Sequence, residues 1–148
     1  MKRSSIIKLM LLALEIAVAI FAFAAGASAA NDSLTGLPVY PGISDPNPLP
    51  KANLCGKAMV GDFYIVMGNK VDVVVGWYAQ NLSGFKKYHA VGGGRSQDTF
   101  WSSDGTQEVT VTGTPNSPEV YSVSYGKFTP GLTAPQMATF NTGKQVCK

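Results

Sequence analysis

The chain has 148 residues, with 12 Lys+Arg against 9 Asp+Glu. Setting aside Lys2, Arg3, Lys8 and Glu15 near the start leaves nine basic and eight acidic residues, a net charge of +1 that excludes electrostatic capture of nucleic acid. The roughly 118 residues beyond position 30 amount to one domain, enough to bury a single core.

Residues 1 to 30 have the layout of a secretory signal peptide: basic residues, an apolar run, then Gly26-Ala27-Ser28-Ala29-Ala30. Small side chains at the −3 and −1 positions place cleavage after Ala29 or Ala30. Glu15 interrupts the apolar run, and a mid-bilayer carboxylate costs about 2.5 kcal/mol or more, so a stable membrane span is disfavoured. An uncleaved anchor is the alternative. No cysteine stands near the cleavage site to carry a lipid. The expected mature protein is soluble and either periplasmic or secreted.

Residues 31 to 54 carry prolines at 38, 41, 46, 48 and 50, whose fixed φ angles forbid a helix and favour an extended arm, docked by Leu37, Val39, Tyr40 and Ile43. Residues 55 to 148 form the expected single α+β domain. Within it, Met59 to Met67 reads as a first strand, with Phe63, Ile65 and Met67 on one side.

NKVDVVVGWYAQNL, Asn69 to Leu82, is the helix around which the domain is organised. Val71, Val74, Val75, Tyr78 and Leu82 fall on one face. Asn69 is the expected N-cap, Asp72 suits the first turn, and Gly84 can end the helix in a left-handed conformation. Three consecutive valines and Gly76 pull the other way, towards a strand.

Phe85 to Val91 reads as a second strand, with Phe85, His89 and Val91 on one face and Lys86, Tyr88 and Ala90 on the other. A loop over residues 92 to 98 follows. Thr99 to Ser103, the turn Asp104-Gly105 and Glu108 to Thr112 make the strongest hairpin signal. After a turn-rich stretch, Val120 to Phe128 alternates Tyr121, Val123 and Tyr125 with Ser122 and Ser124. Thr133 to Phe140 fits a short final helix capped by Thr133, with Pro135 in its first turn. The expected fold is α+β: an antiparallel meander of about five strands, one main helix packed on one face, and a short C-terminal helix.

Cys55 and Cys147 are the only cysteines. In an exported chain such a pair reads as a disulfide closing a loop of about 92 residues. A reactive or metal-binding thiol lacks CxxC spacing.

LPVYPG (Leu37 to Gly42), followed by a strand, VDVVVGWYAQNLSGF and a closing meander, resembles a group of small exported bacterial proteins that have no assigned activity. The resemblance implies a helix over residues 69 to 82 and a Gram-negative source, and it supplies no catalytic residues.

Candidate chemistry centres on His89, the single histidine. A Ser96-His89-Asp98 grouping can be written down, but the serine lacks a nucleophile-elbow context. Gly92 to Arg95 offers backbone N–H groups and a guanidinium to an anion without Walker or GxGxxG spacing. One histidine with scattered Met59, Met67 and Met137 makes no metal set, and no cofactor is expected. Trp77, Tyr78, Phe100, Trp101, Tyr121 and Tyr125 read as core, any exposed subset offering a contact surface. The expected function is a non-catalytic binding or structural module for a protein, peptide or glycan, with Gly93, Gly94, Arg95, His89 and Trp101 as binding residues. The alternatives are a small hydrolase centred on His89 and a membrane-tethered envelope component.

Overall fold

The computed structural model describes residues 30 to 148, except 44, 67, 93, 115–117, 143, 145 and 148. Residues 1 to 29 of the expected leader lie outside the described residues, as do Met67 and Gly93. No helix among the described residues is long and apolar enough to cross a membrane.

Among the described residues, seven strands form one antiparallel sheet: β1 (Asn47–Pro48), β2 (Ala52–Leu54), β3 (Lys57–Ile65), β4 (Lys86–Gly92), β5 (Arg95–Trp101), β6 (Gln107–Gly113) and β7 (Val120–Thr129). The order is β1-β3-β7-β6-β5-β4, with β2 also paired to β3. Helix α1 (Val71–Asn81) joins β3 to β4, and α2 (Ala134–Thr139) follows β7. The α+β architecture is as expected, but with seven strands rather than five. The two extra strands come from the proline-rich arm, which doubles back along β3. Its return is the tight turn Cys55-Gly56, with φ of 53° and 76°, the two left-handed residues that a two-residue hairpin requires.

Helix α1 forms because Val74, Tyr78 and Leu82 share a face and are buried over β5 and β6, against Phe100, Val109, Val111, Val123 and Tyr125. Each such side chain contributes about 1.5–3 kcal/mol of burial, enough to outweigh the valines' weak helix propensity. Gly84 takes φ +79° just past the helix end. The expected N-cap is corrected: Lys70 holds that position. Asn69 instead accepts from the Tyr40 hydroxyl at 3.4 Å, while the Val71 N–H donates to the Pro118 carbonyl at 2.8 Å.

On the opposite face, Trp101, Phe128, Leu132 and Met137 form a second cluster under α2, with Met59, Tyr88 and Phe140 against it. Thr133 caps α2, its N–H donating to Gln136 Oε1 at 2.9 Å. Cys55 and Cys147 are joined as a disulfide, their Cα atoms 4.9 Å apart, and the tail is thereby held to the β2–β3 turn.

The LPVYPG stretch is gripped by two tyrosine hydroxyls. Tyr125 Oη donates to the Pro38 carbonyl at 3.0 Å, and Tyr78 Oη bonds Tyr125 Oη and accepts the Tyr40 N–H at 3.1 Å. Burial pushes the Tyr78 hydroxyl up to about 12 and raises Tyr125 further, so both stay protonated. Upstream, buried Asp32 accepts from the Thr35 N–H and hydroxyl and from the Tyr64 hydroxyl. Tyr125→Phe is expected to lower unfolding free energy by about 1–3 kcal/mol, since it leaves the Pro38 carbonyl without this donor. Urea midpoints measure the loss, and faster amide exchange over residues 37–40 would locate it in the arm.

Candidate functional site

β4 and β5 pair without interruption from Lys86↔Trp101 to Gly92↔Arg95. The expected loop over residues 92 to 98 is therefore corrected: β5 begins at Arg95, and Gly94, at φ +73°, sits in the turn. This register sets Asp98 directly opposite His89. Alternation along the strands then puts Lys87, His89, Ser96 and Asp98 on the face that carries α1.

These four side chains line a cleft of about 690 Å³ between α1 and the β4–β5 pair, within the range of small-ligand sites. Val71, Val75, Gly76 and Ala79 of α1 form its apolar wall, together with Pro118, while Lys70 and Asp72 stand at the helix start. Asp98 is the inner acid, its side chain 10% exposed. It receives His89 Nδ1 at 3.1 Å and Lys87 Nζ at 3.5 Å. In neutral His89, Nδ1 donates to this carboxylate and Nε2 keeps the acceptor lone pair, on a ring whose side chain is 53% exposed. The arrangement holds one imidazole in one orientation beside an apolar wall.

Gly76 is the informative residue on that wall. It lies inside α1, where glycine costs about 1 kcal/mol relative to alanine. A Cβ added there would meet nothing within 4 Å. No close packing accounts for the missing side chain; what the glycine does is widen the cleft.

Gly94, Arg95 and Trp101, the other expected binding residues that are described, do not line the cleft. Arg95 lies with its guanidinium 5.3 Å from the centroid of the Tyr121 ring, a cation–π contact. Gly94 shapes the turn before it. Trp101 is 0% exposed, wedged between Phe128 and Phe140 in the cluster under α2, so its side chain packs in the core. Of the sheet aromatics, Phe100 and Tyr125 are buried in the core that α1 covers, whereas Tyr121 is 53% exposed. No group of three or more His, Cys, Asp or Glu side chains among the described residues could hold a metal ion.

In the sequence Asp98 stands at the end of a glycine-rich loop, and its grouping with His89 and Ser96 can be written down but not placed. The signal that could have found it is the spacing of His89 and Asp98 about Gly93-Gly94, which a two-residue hairpin turn places face to face. No family model, no curated protein and no solved structure matches this chain.

Proposed function

We propose that the protein is an exported, non-catalytic binding module that takes its ligand in the cleft between α1 and β4–β5. The observation that carries this reading is Gly76: a helix-interior glycine facing open space, set against an oriented His89–Asp98 pair. The leader-like residues 1 to 30 and the disulfide support export. The likeness to small exported bacterial proteins belongs to the same proposal. The carbonyl of Ala30 accepts the Val39 N–H at 2.7 Å, which favours processing after Ala29 over Ala30.

Gly76→Ala is expected to raise unfolding free energy by about 0.5–1 kcal/mol, and Gly76→Leu to fold equally well while filling the cleft. The test is an NMR screen of the mature protein with small apolar acids and alcohols. Shifts gathered at Val75, Gly76, Ala79 and His89, lost in Gly76→Leu, support the reading. Shifts elsewhere, or none, refute it.

One observation favours a second reading, a hydrolase: Ser96 shares the cleft with the His89–Asp98 pair. Hydrolysis of p-nitrophenyl esters that persists unchanged in His89→Ala eliminates it.

A further inference from the structure

The chain beyond β7 lies on the side of the sheet away from α1. It sets Met137 and Phe140 against Trp101 and Phe128, and it ends at Cys147, bonded to Cys55 in the turn between β2 and β3. Asn141 Nδ2 donates to Thr99 Oγ1 at 2.6 Å, whereas the Thr142 hydroxyl and the Val146 N–H bond within the segment, to Thr139. Among the described residues, none of this segment enters the cluster under α1 or lines the cleft. The two sides of the sheet are packed separately.

What the segment covers is partly polar. Glu108 pairs with Trp101 across the β5–β6 ladder, so both side chains stand on this side, and Glu108 is 1% exposed. A chain of hydrogen bonds, Asn141 to Thr99, Thr99 to Thr110 and Thr110 to Glu108, joins the segment to that carboxyl. Among the described residues, Trp101 Nε1 is buried with no hydrogen-bond partner. An unpaired donor and a desolvated carboxyl both oppose closure, because lifting the segment would give each of them water. The apolar contacts of Met137 and Phe140 work against that cost, and the covalent bond adds a hold that solvation cannot loosen.

That bond lies within reach of a reductant: Cys147 is exposed and Cys55 half-buried. We propose that residues 133 to 142, tied down through Cys147, are a redox-released strap: the Cys55–Cys147 bond holds it shut over Trp101 and Glu108, and a dithiol opens it while the α1 side stays folded. One thiolate of the dithiol attacks Cys147 Sγ, and Cys55 leaves as a thiolate that takes up a proton. The second thiolate of the dithiol then displaces Cys147, which takes up the other proton. Two electrons pass to the cysteines, and the dithiol ends as its own disulfide. The strap thereby governs access to the indole and the carboxyl beneath it.

The test treats the folded mature chain with millimolar dithiothreitol, follows thiol release, and reads amide exchange by mass spectrometry and exchange of the Trp101 indole N–H by NMR. Reduction is expected to speed exchange over residues 133 to 142 and at the indole at least about tenfold, and over α1 by less than about twofold. Reoxidation restores the slow rates. The double variant Cys55→Ser, Cys147→Ser is expected to show the open pattern with or without dithiothreitol. The strap is overturned by a bond that yields only in urea, or by a reduced chain whose residues 133 to 142 and indole exchange as slowly as in the oxidised one. Equal acceleration over α1 also overturns it, since the bridge would then be a staple of the whole fold. So does a response to dithiothreitol in the double variant, which has no cysteine to reduce.

Discussion

Replacing Cys55 and Cys147 together by serine is expected to lower the free energy of unfolding by about 2–5 kcal/mol. The bond closes a separation of 92 residues, so its loss returns a large share of chain entropy to the unfolded state. The native state changes as well. The tail carries Met137 and Phe140 onto Trp101 and Phe128, with ring centroids 5.1 Å apart for Trp101–Phe140 and 5.7 Å for Phe128–Phe140. Without the bridge, only this apolar cluster, the cap of α2 and bonds such as Asn141 Nδ2 to Thr99 Oγ1 hold the tail. Denaturant midpoints of the oxidised protein and the double variant measure the loss. Amide exchange should quicken first over residues 134 to 142. A double variant with the oxidised protein's midpoint would show that the bridge contributes little.

Glu108 makes stability depend on pH in the direction opposite to an ordinary salt-bridged acid. It is 1% exposed, paired between Gly126 on one side and Trp101 on the other. Gly126 leaves it room, since a Cβ there would fall 2.8 Å from Glu108 Oε1. Thr110 donates to Glu108 Oε2 at 2.6 Å, and the Thr99 hydroxyl lies 2.9 Å from that of Thr110. Burial dominates this hydrogen bond and pushes the carboxyl up to about 8 from 4.5. The folded state therefore holds a proton that the unfolded state releases. The contribution is full below about pH 4.5, declines between 4.5 and 8, and levels off above. Glu108→Gln, which keeps an acceptor for Thr110, is expected to gain on the parent steadily across that window, by about 3 kcal/mol at pH 7. Urea midpoints of both proteins at several pH values check this, and a constant difference from pH 4 to 9 would refute it.

The same residue explains why part of the fold escaped the sequence. Gln107 to Gly113 alternates apolar Val109 and Val111 with Glu108, Thr110 and Thr112, which reads as one buried and one solvated face. Both faces are in fact covered, with Glu108, Thr110 and Thr112 all buried. Alternation reports which residues share a side, not what lies above it. Similarly, the arm's prolines pointed to extended chain, and extended chain becomes strand only where a partner edge such as β3 is within reach.

What the sequence determined by itself was local or covalent: an apolar stripe from Val71 to Leu82 that must be buried, a glycine free to turn the chain after it, a hairpin at Asp104-Gly105, and two cysteines to be joined. The cleft was decided only by tertiary structure. His89 and Asp98 meet through strand register, and Gly76 becomes a gap rather than a defect because α1 leans over β5 and β6 and leaves β4 uncovered. Such contacts depend on distances between segments far apart in the chain, and the spacing of neighbouring residues carries no record of them.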